Sequence, residues 1–183
     1  EQGSVRTIAG GEIRDTDSEH TFYCAAILGS AALWAPAREA LRTGQLKLAW
    51  LYARLALRRA FSGRLHSSLD GVAGRQTEAL VLISPTISRA IGEAAGLEAA
   101  AMNPADAGQA IRLAAHALFS GGRQDPSVRT TATLSASVRA RSRIPAVIDG
   151  EPTLLRHEAT IRYIPRAFRA LAPNPDAATG APA

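Results

Sequence analysis

At 183 residues the chain can bury a real core and is most simply one domain with a tail. Its net charge of +5, carried by arginine far more than lysine, favours anionic partners: phosphates, acidic lipid headgroups or nucleic acid. Cys24 is the only cysteine, which excludes an internal disulfide and any cysteine-based zinc cluster and suits a reduced, cytosolic setting. Aromatic residues make up 5%, few for a domain that stacks single-stranded bases, so no nucleic-acid partner is expected. Glu1 rather than Met stands first, as in a processed product or an excised fragment. No basic n-region followed by an apolar h-region marks a signal peptide. The longest apolar stretch, 46–61, contains Lys47, Arg54, Arg58 and Arg59, too much charge to span a bilayer.

In chain order, residues 5–8 and Ile13 flank Gly10-Gly11 and read as a weak hairpin. Residues 21–28 form a buried-strand candidate ending at Gly29, with Cys24 inside it as an inert, buried thiol. Pro36 opens a short helix, where its missing N–H costs nothing, and Gly44 closes it. Residues 46–61 predict a second helix. Strands at 67–69 and 77–84 flank Asp70-Gly71 and Gly74 and are joined by a turn. After the apolar run 97–102, Asn103-Pro104 with Asp106 starts a third helix and Gly121-Gly122 stops it. Residues 131–144 alternate most clearly: Ala132, Leu134, Ala136, Val138 and Ala140 against a core, Arg139, Arg141 and Arg143 in water. Beyond Pro173 the composition collapses to Ala, Pro, Asn, Asp, Thr and Gly, the signature of a disordered tail over 174–183. The fold class is therefore α+β, mainly β: a sandwich-like domain over 1–173 with about three inserted helices.

The most informative segment is Ile144-Pro145-Ala146-Val147-Ile148-Asp149-Gly150-Glu151-Pro152, followed by Ile161-Arg162-Tyr163-Ile164-Pro165-Arg166-Ala167-Phe168-Arg169. Read alone, Asp149-Gly150 is a hairpin turn, since the pair supplies the positive φ that a tight turn wants. The order of motifs, however, resembles the C-terminal domain of the bacterial diacylglycerol kinase and lipid kinase family. That family ends in an Asp-Gly-Glu turn, a strand, a Pro-x-Ala-aromatic/Leu-Arg turn and a last short strand. Its Phe-bearing strand, apolar glycine turn and Gly-x-Leu helix have counterparts here in Phe22, Ile27-Leu28-Gly29 and Gly44-Gln45-Leu46-Lys47-Leu48-Ala49-Trp50. The resemblance covers most of residues 3–173.

What the resemblance implies is a lipid-facing kinase domain acting on diacylglycerol or a similar long-chain alcohol. Glu151 would be the catalytic base, and Asp149 and Gly150 would shape its turn. ATP and Mg²⁺ would be held mainly by an N-terminal nucleotide-binding domain in cis, outside this chain, because the family's Gly-Gly-Asp-Gly-Thr motif is absent. The chain alone would then be inactive and bind no metal. It departs from the family pattern at Ala94-Ala95-Gly96-Leu97-Glu98-Ala99. Both acidic positions before Gly96 are Ala, the third is Ala99, and Glu98 lies one place off. The glycine-rich loop expected over 84–92 is reduced to Ser84-Pro85-Thr86-Ile87-Ser88-Arg89. These departures suit the alternative, a non-catalytic lipid- or membrane-binding module on the same fold.

Lys47, Arg54 and Arg58 form one basic stripe on the 46–61 helix. Trp50, Leu57 and Phe61 repeat elsewhere on it, with Leu51 and Leu55 nearby. Such a helix either lies in an anionic membrane interface, peripherally and from the cytoplasm, or packs its apolar side on the sheet with solvated arginines. The Arg139/Arg141/Arg143 row is likewise either a solvated strand face or a contact for acidic headgroups. His20, His66, His116 and His157 show no metal-motif spacing and read as structural or surface residues.

Overall fold

A computed structural model describes residues 3–59, 65–88, 95–102 and 128–173. Twelve strands in those segments form two six-stranded sheets. The first sheet contains β1 (Gly3–Asp15), β2 (Glu19–Phe22), β4 (Leu65–Leu69), β5 (Val72–Thr77), β9 (Ser135–Arg139) and β12 (Glu158–Pro173), in the order β2-β1-β12-β9-β4-β5. The second contains β3 (Ala25–Gly29), β6 (Ala79–Ile83), β7 (Leu97–Met102), β8 (Val128–Thr133), β10 (Ile144–Ile148) and β11 (Glu151–Leu155), in the order β11-β10-β3-β6-β7-β8. Every strand pairing is antiparallel. The sheets close on one apolar core in which Ile13, Phe22 and Ile161 of the first meet Leu28, Leu82 and Ile144 of the second. This bears out the β-rich sandwich.

A 3₁₀ turn (Ser30–Trp34), α1 (Ala35–Arg42) and α2 (Leu46–Arg59) connect β3 to β4, and the 3₁₀ turn packs on β3, β6 and β10. Pro36 sits in the first turn of α1, and Gly44 takes φ +73° just past its end, as the sequence requires. The helix expected from Asn103 and the tail 174–183 lie outside the described residues, as do Phe61, Arg89 and Ala94.

Four expected elements are corrected. Gly10-Gly11 is not a hairpin turn: β1 runs straight through it and pairs with β12 on both sides of a bulge at Ala9. The glycines are there for space, since a Cβ on Gly10 would lie 2.5 Å from the Phe22 carbonyl oxygen and one on Gly11 would enter the Phe22 ring. The bulge also replaces the expected Pro165-Arg166-Ala167 turn, which is an irregularity within the continuous β12.

Residues 21–28 and 131–144 are not single strands. The chain passes from one sheet to the other at Tyr23-Cys24, between β2 and β3, and at Leu134, between β8 and β9. Cys24 and Leu134 are consequently exposed rather than buried. The arginine row dissolves with the strand: Arg139 ends β9 and pairs with Glu158 at 2.8 Å, while Arg141 and Arg143 lie in the following loop.

Candidate functional site

The β10–β11 hairpin is a two-residue turn closed by the Ile148–Glu151 pair. Asp149 and Gly150 take φ +48° and +96°, the left-handed conformations that an Asp-Gly turn accommodates. The Asp149 carboxylate does more than shape this turn. It accepts the N–H groups of Tyr23, Cys24 and Ala25 at 2.7, 2.8 and 2.9 Å, while its own N–H donates to the Ala25 carbonyl at 2.9 Å. The crossover from β2 to β3 is thereby fastened to the hairpin that carries Glu151.

Asp70-Gly71 repeats the arrangement in the β4–β5 hairpin. Asp70 also has positive φ, accepts the N–H groups of Leu134 and Ser135 at 2.9 and 2.8 Å, and donates its N–H to the Ser135 carbonyl at 2.9 Å. Burial pushes the Asp70 carboxyl up, but the Ser135 N–H, the Thr133 hydroxyl and the Leu134 N–H outweigh it and hold the group below its usual range. Asp15 clamps a third crossover, from β11 to β12, by accepting the N–H of Arg156 at 2.8 Å and those of Asp17 and Ser18 at 2.8 and 2.7 Å. Burial opposes ionisation there too, yet these donors lower its pKa to about 2. Aspartates at such corners are structural. What distinguishes the Asp149 hairpin is its next residue: Glu151, where the Asp70 hairpin has Val72.

Glu151 opens β11, an edge strand of the second sheet, and β2 is an edge strand of the first. Between them lies an open groove of about 480 Å³, lined by Glu19, His20 and Thr21 on one side and by Glu151, Pro152 and Thr153 on the other. Glu19 is engaged by Arg14 at 2.7 Å. His20, read from sequence as structural or surface, thus belongs to the candidate site. Its only advance signal was its place two residues before the buried Phe22.

The remaining sequence candidates lie apart from this groove. Ala95 is exposed, and Glu98 is 2% exposed in β7, where it accepts the Ser88 hydroxyl. Neither lines the groove. Among the described residues no three His, Cys, Asp or Glu side chains converge as metal ligands. On α2, the inward stripe is made by Ala49 and Ala56, while Trp50 is 73% and Leu46 68% exposed, with Leu51 and Leu55 also outward. Lys47, Arg54 and Arg58 are exposed on the same outer side. No helix among the described residues is long and apolar enough to cross a membrane.

No protein-family model matches the chain, and no curated protein matches it in sequence. Solved structures match in fold. A diacylglycerol kinase from Bacillus anthracis str. Sterne superposes with a TM-score of 0.55 over 94% of this chain and 56% of its own, at 10% identity. Two structures described as candidate diacylglycerol kinases of the same organism give TM-scores of 0.58 and 0.57 at 13% identity, covering 94% of this chain and 59% of theirs. The chain thus spans 56–59% of the length of these structures. Identity this low speaks to fold alone, and at that level the likeness read from motif order is borne out: the chain has the fold of a large part of these diacylglycerol kinases.

Proposed function

We propose that this chain is the C-terminal, lipid-facing domain of an ATP-dependent lipid kinase acting on diacylglycerol or a similar long-chain alcohol. The observation that carries the reading is the shared fold with solved diacylglycerol kinases, together with a carboxylate, Glu151, standing at an open groove in that fold. The acceptor hydroxyl gives its proton to Glu151 while its oxygen attacks the γ-phosphorus of ATP. The new P–O bond forms as the bond to ADP breaks. ATP and Mg²⁺, which supply the phosphoryl group and neutralise its charge, are held by a nucleotide-binding domain in cis, outside this chain. The outer face of α2, with Lys47, Trp50, Arg54 and Arg58, rests on the anionic membrane surface that supplies the lipid, as a peripheral, cytoplasmic attachment. Arg141 and Arg143 extend the same cationic character, whereas Arg139 is occupied by Glu158.

The test is Glu151→Gln in a protein that includes the nucleotide-binding half. The substitution keeps the side chain's size and removes its ability to take a proton. ATP binding and the fold should persist, while kcat falls by about 10²–10⁴-fold. Wild-type kcat in that variant would refute the assignment.

A second reading, a non-catalytic lipid- or membrane-binding module, is favoured by the exposed Trp50 face and by the acidic segment, whose remaining carboxylate Glu98 is turned inward. The coding sequence upstream discriminates. A Gly-Gly-Asp-Gly-Thr motif within about one domain's length supports the kinase, and its absence supports the module.

A further inference from the structure

The groove beside Glu151 has a second wall with chemistry of its own. Phe22 is fully buried, so strand alternation turns His20, two residues earlier, toward the same inner face of the first sheet. On the facing edge strand Leu155 is buried, which turns Thr153 and Glu151 to the inner face of the second sheet. His20 and Glu151 therefore stand on opposite walls, each at the inner side of a free edge. The walls are held at a fixed spacing, because the Asp149 carboxylate binds the three N–H groups that follow β2. Arg14 occupies Glu19, which leaves the His20 imidazole as the principal polar group of the β2 wall. Only Ile148 and Pro152 are apolar among the lining residues. An open groove of about 480 Å³ has room for a small headgroup whose oxygens meet the polar side chains of the two walls.

We propose that His20 is an acceptor-binding residue: its imidazole hydrogen-bonds the polar head of an alcohol whose reacting hydroxyl faces Glu151. This rests on the reading of Glu151 as the base and names the group that holds what the base acts on. An imidazole suits the task because its neutral form donates from one ring nitrogen and accepts at the other, and so can grip either an ester or a hydroxyl oxygen.

The experiment titrates the 183-residue chain with 1,2-dihexanoylglycerol below its micelle concentration and follows the resonances by NMR. Saturable shifts are expected at the His20 ring and the Thr153 amide. His20→Ala should weaken the probe by about 5–10-fold, the loss of one hydrogen bond, while His20→Gln, which keeps a donor and an acceptor, restores most of it. Thermal melts establish that both variants fold. Shifts confined to α2, no saturable shift at His20, or unchanged affinity in His20→Ala would each overturn the proposal. Because no phosphoryl transfer is read, failure here is separate from failure of the base assignment, which appears as wild-type kcat in Glu151→Gln. In the protein with its nucleotide-binding half, His20→Ala should raise the acceptor KM about tenfold with kcat nearly unchanged. A fall in kcat at constant KM would contradict a binding role.

Discussion

Asp149 and Asp70 are a matched pair, and their comparison separates architecture from chemistry. Each sits at positive φ before a glycine and accepts N–H groups from a strand crossover. An asparagine offers one acceptor oxygen and turns an NH₂ toward N–H groups, so both Asp→Asn variants should lose about 1–3 kcal/mol in denaturant melts. If the pair is structural, the two losses should be similar, and a cost confined to Asp149 would argue for a further role there. Asp15 adds a pH signature. Its pKa is lowered from 3.8 to about 2 in the folded chain, so the unfolded state binds the proton more readily. Its stabilisation is complete above about pH 4 and is lost as pH falls toward 2. Allowing for partial solvation, the loss is about 1–2 kcal/mol. Asp15→Asn should flatten that part of the acid-unfolding profile, and an unchanged slope would show that Asp15 does not contribute. Asp70, also lowered, acts in the same direction.

Among the elements, α2 inverts the usual rule that large apolar side chains face inward. Its alanines pack and its Trp50, Leu46, Leu51 and Leu55 face out beside three cations. Weak sedimentation with anionic vesicles is expected, fading with salt because exposed charges are screened over about 10 Å at 0.1 M. Replacing Lys47, Arg54 and Arg58 by Gln should reduce it, and unchanged sedimentation would leave the face merely solvated. The inversion also explains what the sequence hid here. Periodicity locates a helix but does not say which stripe packs. Strands were legible by alternation, yet their ends were not. Thr133 and Ala136 are both buried although three residues apart, because the chain changes sheet at Leu134, and Thr, Ser and Ala are too alike in polarity to betray that slip. Gly10-Gly11 imitated a turn because Phe22 on the neighbouring strand β2 demands the space, its carbonyl oxygen at Gly10 and its ring at Gly11. The Asp-Gly-Glu hairpin was readable from local turn chemistry. His20 was not, because its groove exists only once β2 and β11, far apart in sequence, come together as free edges.

At the scale of the molecule, the sandwich supplies an open groove beside Glu151 and a rigid frame but no phosphate cradle evident in the sequence. Gly-Gly-Asp-Gly-Thr is absent, and the matched structures are longer than this chain, which spans 56–59% of them. Phosphoryl transfer depends on positioning and on neutralising charge over the γ-phosphate and contributes little covalent chemistry. On the proposed reading, Glu151 without a held nucleotide therefore has nothing to accelerate. Incubated with labelled ATP, Mg²⁺ and diacylglycerol micelles, this chain alone should transfer no label above background. Joined to a nucleotide-binding domain carrying that motif, it should turn over, and Glu151→Gln should remove most of the activity. The control that decides is the isolated Glu151→Gln chain. Turnover that purifies with the isolated wild-type chain and vanishes in this variant would mean that the groove binds ATP by itself, and the two-domain reading would fall. Turnover that persists in the variant is not made at Glu151, whatever its source.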